Sequence, residues 1–249
     1  MKKIITIFVF LFSVNNVIAQ DLTALVTEGQ RLETLFDEAG ALNKYKEALK
    51  LAPQNMTALS RCSELCSSIG NKQTSTKTRD AYFKTALVYA QTALKLYPES
   101  DVTNISMAIA VGRIVLTKSG KEKIASVKEL KAYAEKAIKI NPSNFKGWHI
   151  LGKWHYEVAN LSGLERAAAK LLFGALPAAS FSNAILCYEK AKTLNPNFLL
   201  NLLELARVYK KTGEKVKAKT ALTTLQGLKN ATPDDASIKI QAKTMMDSL

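Results

Sequence analysis

Four of the six prolines in this 249-residue chain follow the same three-residue signature. Ala41, Tyr45 and Ala48 lie 12, 8 and 5 residues before Pro53. Ala86, Ala90 and Ala93 stand at those offsets before Pro98, Leu130, Ala134 and Ala137 before Pro142, and Ala184, Tyr188 and Ala191 before Pro196. A fifth copy, Ala218, Leu222 and Leu225, runs to Asn230, where the proline would be. Steps of four and three residues place all three side chains on one helical face. Alanine on that face lets a neighbouring helix approach closely. Proline ends each helix because it lacks an N–H and clashes with the preceding turn. The signature therefore demands a series of equivalent helices, each with a small-residue stripe.

A partner helix begins soon after each proline. Trp148, Leu151 and Gly152 follow Pro142 in a W-x2-L-G arrangement, with His155 where a tyrosine would complete it and Tyr156 one residue late. Gly29 and Leu32 precede the first signature at the matching places, and Leu202, Leu205, Ala206 and Tyr209 follow Pro196. As a set, these residues resemble the tetratricopeptide-repeat pattern W-x2-L-G-x2-Y…A-x3-F…P. The expected fold is all-α, a tetratricopeptide-type helical-repeat solenoid of about five helix pairs plus a C-terminal capping helix. The expected units are 22–55, 56–100, 101–144, 145–198 and 199–231, with the cap over 232–249, where Thr232-Pro233-Asp234-Asp235 opens a helix. Successive prolines are 45, 44 and 54 residues apart, against a unit of about 34. The surplus falls between the paired helices. In the second unit it reads IGNKQTSTKTRD, a polar connection by composition.

The N-terminus reads as a separate element. MKK is a short basic start, Ile4–Val14 is an apolar run short for a membrane-crossing helix, and Val17-Ile18-Ala19 offers small residues before a cut. A secretory signal peptide over 1–19, cleaved after Ala19, is expected, placing the mature chain in the periplasm or outside the cell. An uncleaved anchor is the alternative. Of 35 basic residues the leader takes Lys2 and Lys3, leaving 33 against 21 acidic ones. An exported basic chain suits an acidic protein or an anionic surface, and no nucleic acid is expected. Cys62, Cys66 and Cys187 are too few for a disulfide framework and are expected in the core.

The last 105 residues carry a narrower likeness. Gly152, Trp154, Tyr156, Leu161-Ser162, Glu165-Arg166, Leu172-Phe173 and Pro177, followed by the Ala184–Ala191 helix and the tail from Thr232, resemble the regulator of microtubule dynamics protein family. The likeness implies a helical-repeat adaptor without enzymatic activity. It does not imply microtubules as the partner of an exported chain. The N-terminal half matches only as generic helical repeats.

The insertion inside the fourth unit contains the strongest candidate for a docking element. Ser162-x-x-Glu165 is a capping box, and Leu164, Ala167, Ala168, Leu171 and Leu172 form one apolar stripe. Gly174 and Pro177 end the helix. Three uses of the stripe are open: packing on the protein's own repeats, docking a partner through Leu164, Leu171, Leu172, Phe173 and Leu176, or touching a membrane beside Arg166 and Lys170. Trp148 and His155 are placed for the core, and Trp154 has two readings, reaching a groove between repeats or, the favoured one for this aromatic cluster, a structural place in the core. Arg207, Lys210, Lys211, Lys215 and Lys217 gather with Glu214 as the one nearby acid, which suggests a basic edge for acidic partners or anionic head groups. Lysines solvating helix ends explain the same pattern.

Two histidines, no Gly-rich phosphate loop and no H-E-x-x-H leave little for catalysis or a metal. No catalytic, cofactor or metal residue is assigned. The expected function is a non-enzymatic protein–protein interaction scaffold acting outside the cytoplasm through a helical-repeat groove. The alternative is a periplasmic binding module that holds a small hydrophobic ligand or peptide.

Overall fold

The computed structural model describes the backbone of residues 20–115, 120–173 and 178–249, and their side chains except at 120–124, 168, 169, 172 and 173. The expected signal peptide, Leu176 and Pro177 lie outside the described residues. Among the described residues every regular element is an α-helix. Helix α1 covers 20–34. It is followed by α2 (Glu38–Leu51), α3 (Met56–Asn71), α4 (Thr76–Leu96), α5 (Asp101–Val115), α6 (Gly120–Ile140) and α7 (Phe145–Ala159). Then come α8 (Gly163–Phe173), α9 (Phe181–Leu194), α10 (Leu199–Lys211), α11 (Lys215–Gly227) and α12 (Asp235–Asp247). None of them is long and apolar enough to cross a membrane.

The described residues form two compact units, one ending at Tyr97 and one beginning at Pro98. In the first, α3 packs along α4 and α2 along α3. In the second, α5 pairs with α6, α7 with α9 and α10 with α11, and α12 lies against α10 and α11. Helix α8 is the insertion, outside the pairing, and touches α6.

The proline signature marks the buried stripe. Ala41, Tyr45, Ala48, Ala86, Ala90, Ala93, Ala134, Ala137, Ala184, Tyr188, Ala191, Ala218, Leu222 and Leu225 all have 0% exposure, and Leu130 is half-buried. The turns after the prolines have a shared logic too. The residue two places past the proline caps the next helix. Asn55 accepts from the Ala58 N–H at 2.9 Å, and Asn144 from the Gly147 N–H at 3.2 Å. At the same place after Pro196 stands Phe198, which has no capping oxygen. Its ring packs instead on Phe145 and His149, at centroid distances of 5.3 and 4.9 Å.

The repeat glycines are explained by what faces them. A Cβ added to Gly29 would lie 2.8 Å from the Tyr45 ring, and one added to Gly152 would lie 2.9 Å from the Tyr188 ring. Each pairs the smallest residue with a fully buried tyrosine, so the helices close without overlap. In the first unit the Tyr45 hydroxyl donates to Glu33 Oε1 at 2.7 Å, and Arg61 Nε donates to the same oxygen at 2.9 Å. The half-buried charges are thereby paired. The three cysteines are free and buried, as expected for core residues.

One expectation about connections is corrected. The polar stretch of residues 69–80 is mostly helix, with only 72–75 between α3 and α4. Ser75 starts α4 by accepting from the Thr78 N–H, and α4 then runs for 21 residues. Helix α6 likewise begins at Gly120 and covers 21 residues. Surplus sequence lengthens helices here, because Lys and Arg are good formers of a solvent-facing helix and Ser75 supplies its cap.

Candidate functional site

The interior of the second unit is pinned by a polar chain that begins at His149 on α7. His149 Nδ1 lies 3.1 Å from Asn201 Oδ1, and Asn201 Nδ2 donates to the Tyr188 carbonyl at 2.9 Å. One side-chain pair thus ties α7, α9 and α10. Burial lowers the His149 pKa to about 4, more than its bond to Asn201 raises it, so the imidazole is neutral near pH 7. His155 is also buried, and burial, then Lys131, lowers its pKa. Among the described residues no group of three or more His, Cys, Asp or Glu could hold a metal.

Helix α8 starts as its sequence requires. The Glu165 N–H donates to Ser162 Oγ at 3.2 Å and the Ser162 N–H to Glu165 Oε2 at 2.8 Å, a reciprocal capping box. Arg166 Nη2 reaches back to the Ala159 carbonyl at the end of α7, at 3.1 Å. At about 100° per residue, Leu164 and Leu171 share a face roughly opposite Arg166. Both leucines are exposed, at 82% and 87%, as are Glu165, Arg166, Ala167 and Lys170. The expectation that this stripe packs on the protein's own repeats does not hold for those two leucines. Leu172 and Phe173 belong to α8 by backbone, their side chains outside the described residues.

Trp154 is also corrected. It is 4% exposed, its Nε1 donates to the Val127 carbonyl at 3.1 Å, and Lys131 Nζ lies 5.3 Å from its ring centroid. Helix α7 packs against α5, α6, α9 and α10, so Trp154 lies in the core and not in a groove. Trp148, read as core, is half-buried and donates to the Pro142 carbonyl at 2.9 Å.

Three residues of the expected basic edge meet in one pocket of about 730 Å³, formed by α7, α10 and α12. Arg207, Lys210 and Lys211 supply one wall, and Tyr156, Ile240 and Met245 an apolar one. Gln241, Thr244 and Ser248 of α12 complete it. The remaining two lysines are engaged elsewhere. Lys215 Nζ donates to the Leu249 carbonyl at 2.7 Å, and Lys217 pairs with Glu214 and lies 5.4 Å from the Tyr209 ring centroid. The α12 side chains carried no sequence signal of their own. They join the pocket because Asp235, buried at 3% exposure, accepts from the Ala231 and Thr232 N–H groups and fixes where α12 starts. Ile238 and Ala242 then dock on the α10–α11 core.

Comparison with known proteins matches residues 25–249 to the family model described as Regulator of microtubule dynamics protein 1-3. The likeness read from the last 105 residues thus extends through the N-terminal half. The chain is 30% identical over 178 residues to Regulator of microtubule dynamics protein 1 of Mus musculus, covering 71% of this chain and 58% of that protein. It is 31% identical over 158 residues to the Caenorhabditis elegans protein of that name, covering 64% of this chain and 70% of the other. A thermophilic TPR protein of Thermus thermophilus superposes with a TM-score of 0.64 at 16% identity, covering 90% of this chain and 97% of that one. The chain spans a little over half the length of the mouse relative.

Proposed function

The chain belongs to the regulator of microtubule dynamics protein 1-3 family, and from that premise we propose that it is a non-enzymatic protein-interaction scaffold acting outside the cytoplasm. The relatives are named for microtubule dynamics. What carries over to this chain is the helical-repeat scaffold, since an exported protein does not meet microtubules. Export is inferred from the basic start, the apolar Ile4–Val14 run and the small residues up to Ala19.

The observation that carries the scaffold reading is the pair Leu164 and Leu171, projecting from α8 on one face. Covering such a side chain contributes roughly 1.5–3 kcal/mol, so a partner helix or loop laid on α8 gains a useful anchor. A small hydrophobic ligand is the weaker reading, because the pocket between α7, α10 and α12 is walled by three cations.

The test is affinity capture from the native cell envelope with the wild-type chain and with Leu164→Asp/Leu171→Asp. The variant is expected to keep its helical circular dichroism and urea midpoint while losing at least one specific partner. An unchanged partner set with a folded variant would refute docking through α8. Export is checked by N-terminal sequencing of the envelope protein, expected to begin at Gln20; a chain keeping Met1 in the cytoplasmic fraction would overturn it.

A further inference from the structure

The pocket formed by α7, α10 and α12 holds more positive charge than its surroundings neutralise. Arg207 Nη2 donates to Gln241 Oε1 at 2.8 Å, Lys210 Nζ to Ser248 Oγ at 2.7 Å, and Lys211 Nζ lies 5.9 Å from the Phe181 ring centroid. An amide, a hydroxyl and a ring are all neutral partners. The carboxylates nearby are Glu204, 3.9 Å from Arg207 Nε and 3.4 Å from Lys153 Nζ, and Glu157, 3.4 Å from Lys153 Nζ; neither is paired with Lys210 or Lys211. Glu214, the one acid between Arg207 and Lys219 in sequence, is held by Lys217 and Thr212. These bonds have charged donors but neutral acceptors, so they leave the cations' charge uncompensated, where a carboxylate would cancel it. An incoming carboxylate therefore replaces Gln241 and Ser248 favourably.

The dipole of α10 accounts for lysines in its last turn, but not for the rest of the pocket. The same pocket is lined by Tyr156, Met245 and Ile240, and Ile240 is 69% exposed. A small inorganic anion would leave those apolar groups wet. A peptide fits both walls, since successive side chains present an acid and an apolar group a few ångströms apart. The volume of about 730 Å³ lies within the usual range for a site that takes a few side chains.

We infer that this pocket binds an acidic segment of a protein partner, with a carboxylate on Arg207, Lys210 and Lys211 and a neighbouring apolar side chain on Ile240 and Met245. The inference rests on the scaffold reading and adds the chemistry of what the scaffold binds. Lys210 and Lys211 are exposed, so reversing their charge does not disturb the core.

The probe is a phage-displayed library of random dodecapeptides, selected on the full mature chain, with the best-enriched sequence then synthesised with a fluorescent label. The enriched peptides are expected to carry Asp or Glu beside an aliphatic or aromatic residue. The labelled peptide is expected to bind Lys210→Glu/Lys211→Glu at least tenfold more weakly, and Ile240→Ser more weakly as well. Lys190→Glu/Lys192→Glu on α9 should leave binding unchanged. No enrichment, enrichment without acids, or equal binding to the pocket variant overturns the inference. So does binding to phosphatidylglycerol vesicles that the pocket variant abolishes while the peptides show no acidic preference, which would assign the cations to a membrane. The α8 variant reports separately. Partners lost with Leu164→Asp/Leu171→Asp while no acidic peptide is selected would leave the scaffold standing and remove this pocket from it.

Discussion

Replacing Gly152 by alanine sets two calculable effects against each other. Gly152 lies within α7, where glycine is roughly 1 kcal/mol less favourable than alanine. Propensity alone therefore predicts a stabilised protein. The new methyl, however, would stand 2.9, 3.0 and 3.1 Å from three carbons of the Tyr188 ring, where carbon atoms prefer about 3.5–4.0 Å. The ring has no free side to move into. Tyr188 has 0% exposure and sits in the cluster with Ala184, Leu202 and Leu205, and its backbone carbonyl is bonded by Asn201. Overpacking of this kind costs about 1–3 kcal/mol, so the net expectation is a loss of up to about 2 kcal/mol. In urea the midpoint should fall. In a thermal scan the loss corresponds to a shift of up to roughly 8 °C for a unit of this size. Gly227→Ala is the matched control, because nothing lies within 4 Å of the Cβ it would add in α11. It should raise stability by about 0.4–1 kcal/mol. Tyr188→Leu closes the cycle, and it should cost about 1 kcal/mol less in the Gly152→Ala background than in the wild type. A midpoint for Gly152→Ala above the wild type, or no coupling to Tyr188, would refute the close-fit reasoning.

Two further predictions follow from buried titratable groups. His149 has a folded pKa of about 4 against about 6.5 unfolded, so the unfolded chain binds the extra proton. Its contribution is intact above about pH 6.5 and is lost as pH falls toward 4, by about 3 kcal/mol in all. The wild-type urea midpoint should drop more steeply between pH 7 and 4 than that of His149→Gln, and parallel profiles would exclude the histidine as the cause. Burial pushes the Cys62 thiol up to about 12 and those of Cys66 and Cys187 to about 11, which leaves almost no thiolate at pH 8. A disulfide reagent should titrate no thiol in the folded protein and three in urea, and prompt reaction of any native cysteine would contradict their core placement.

Much of the fold was written in spacing. The offsets before Pro53, Pro98, Pro142 and Pro196 located the buried stripe of each second helix almost residue by residue, because a small-residue face that recurs before a helix stop has few other uses. What failed did so for tertiary reasons. A helical wheel leaves Trp154 free to face a groove, yet α7 touches four other helices, and face arithmetic loses meaning there. The polar 69–80 stretch became helix because its lysines and arginine suit a solvent-facing helix and Ser75 caps it. For α8 the capping box and the stripe were legible. That Leu164 and Leu171 stay uncovered was not, since it depends on how little of the fold packs against α8. The basic cluster on α10 was visible as charge, but Gln241, Thr244 and Ser248 could join it only once α12 had docked.

The glycine–tyrosine fits at Gly29 with Tyr45 and at Gly152 with Tyr188 bear on how such a chain can be rearranged. Repeats of one family look interchangeable, and duplication or shuffling would be expected to trade them freely. Here a single helix is not a tradable part. Moved opposite any side chain larger than glycine, the Tyr188 helix would carry its collision with it; moved opposite alanine, the Gly152 helix would leave a ring-sized void. The smallest piece that can be copied, deleted or grafted without repair is the helix pair that holds both residues. A recombination boundary should therefore fall at the proline turns, between pairs, and not at the connection inside one.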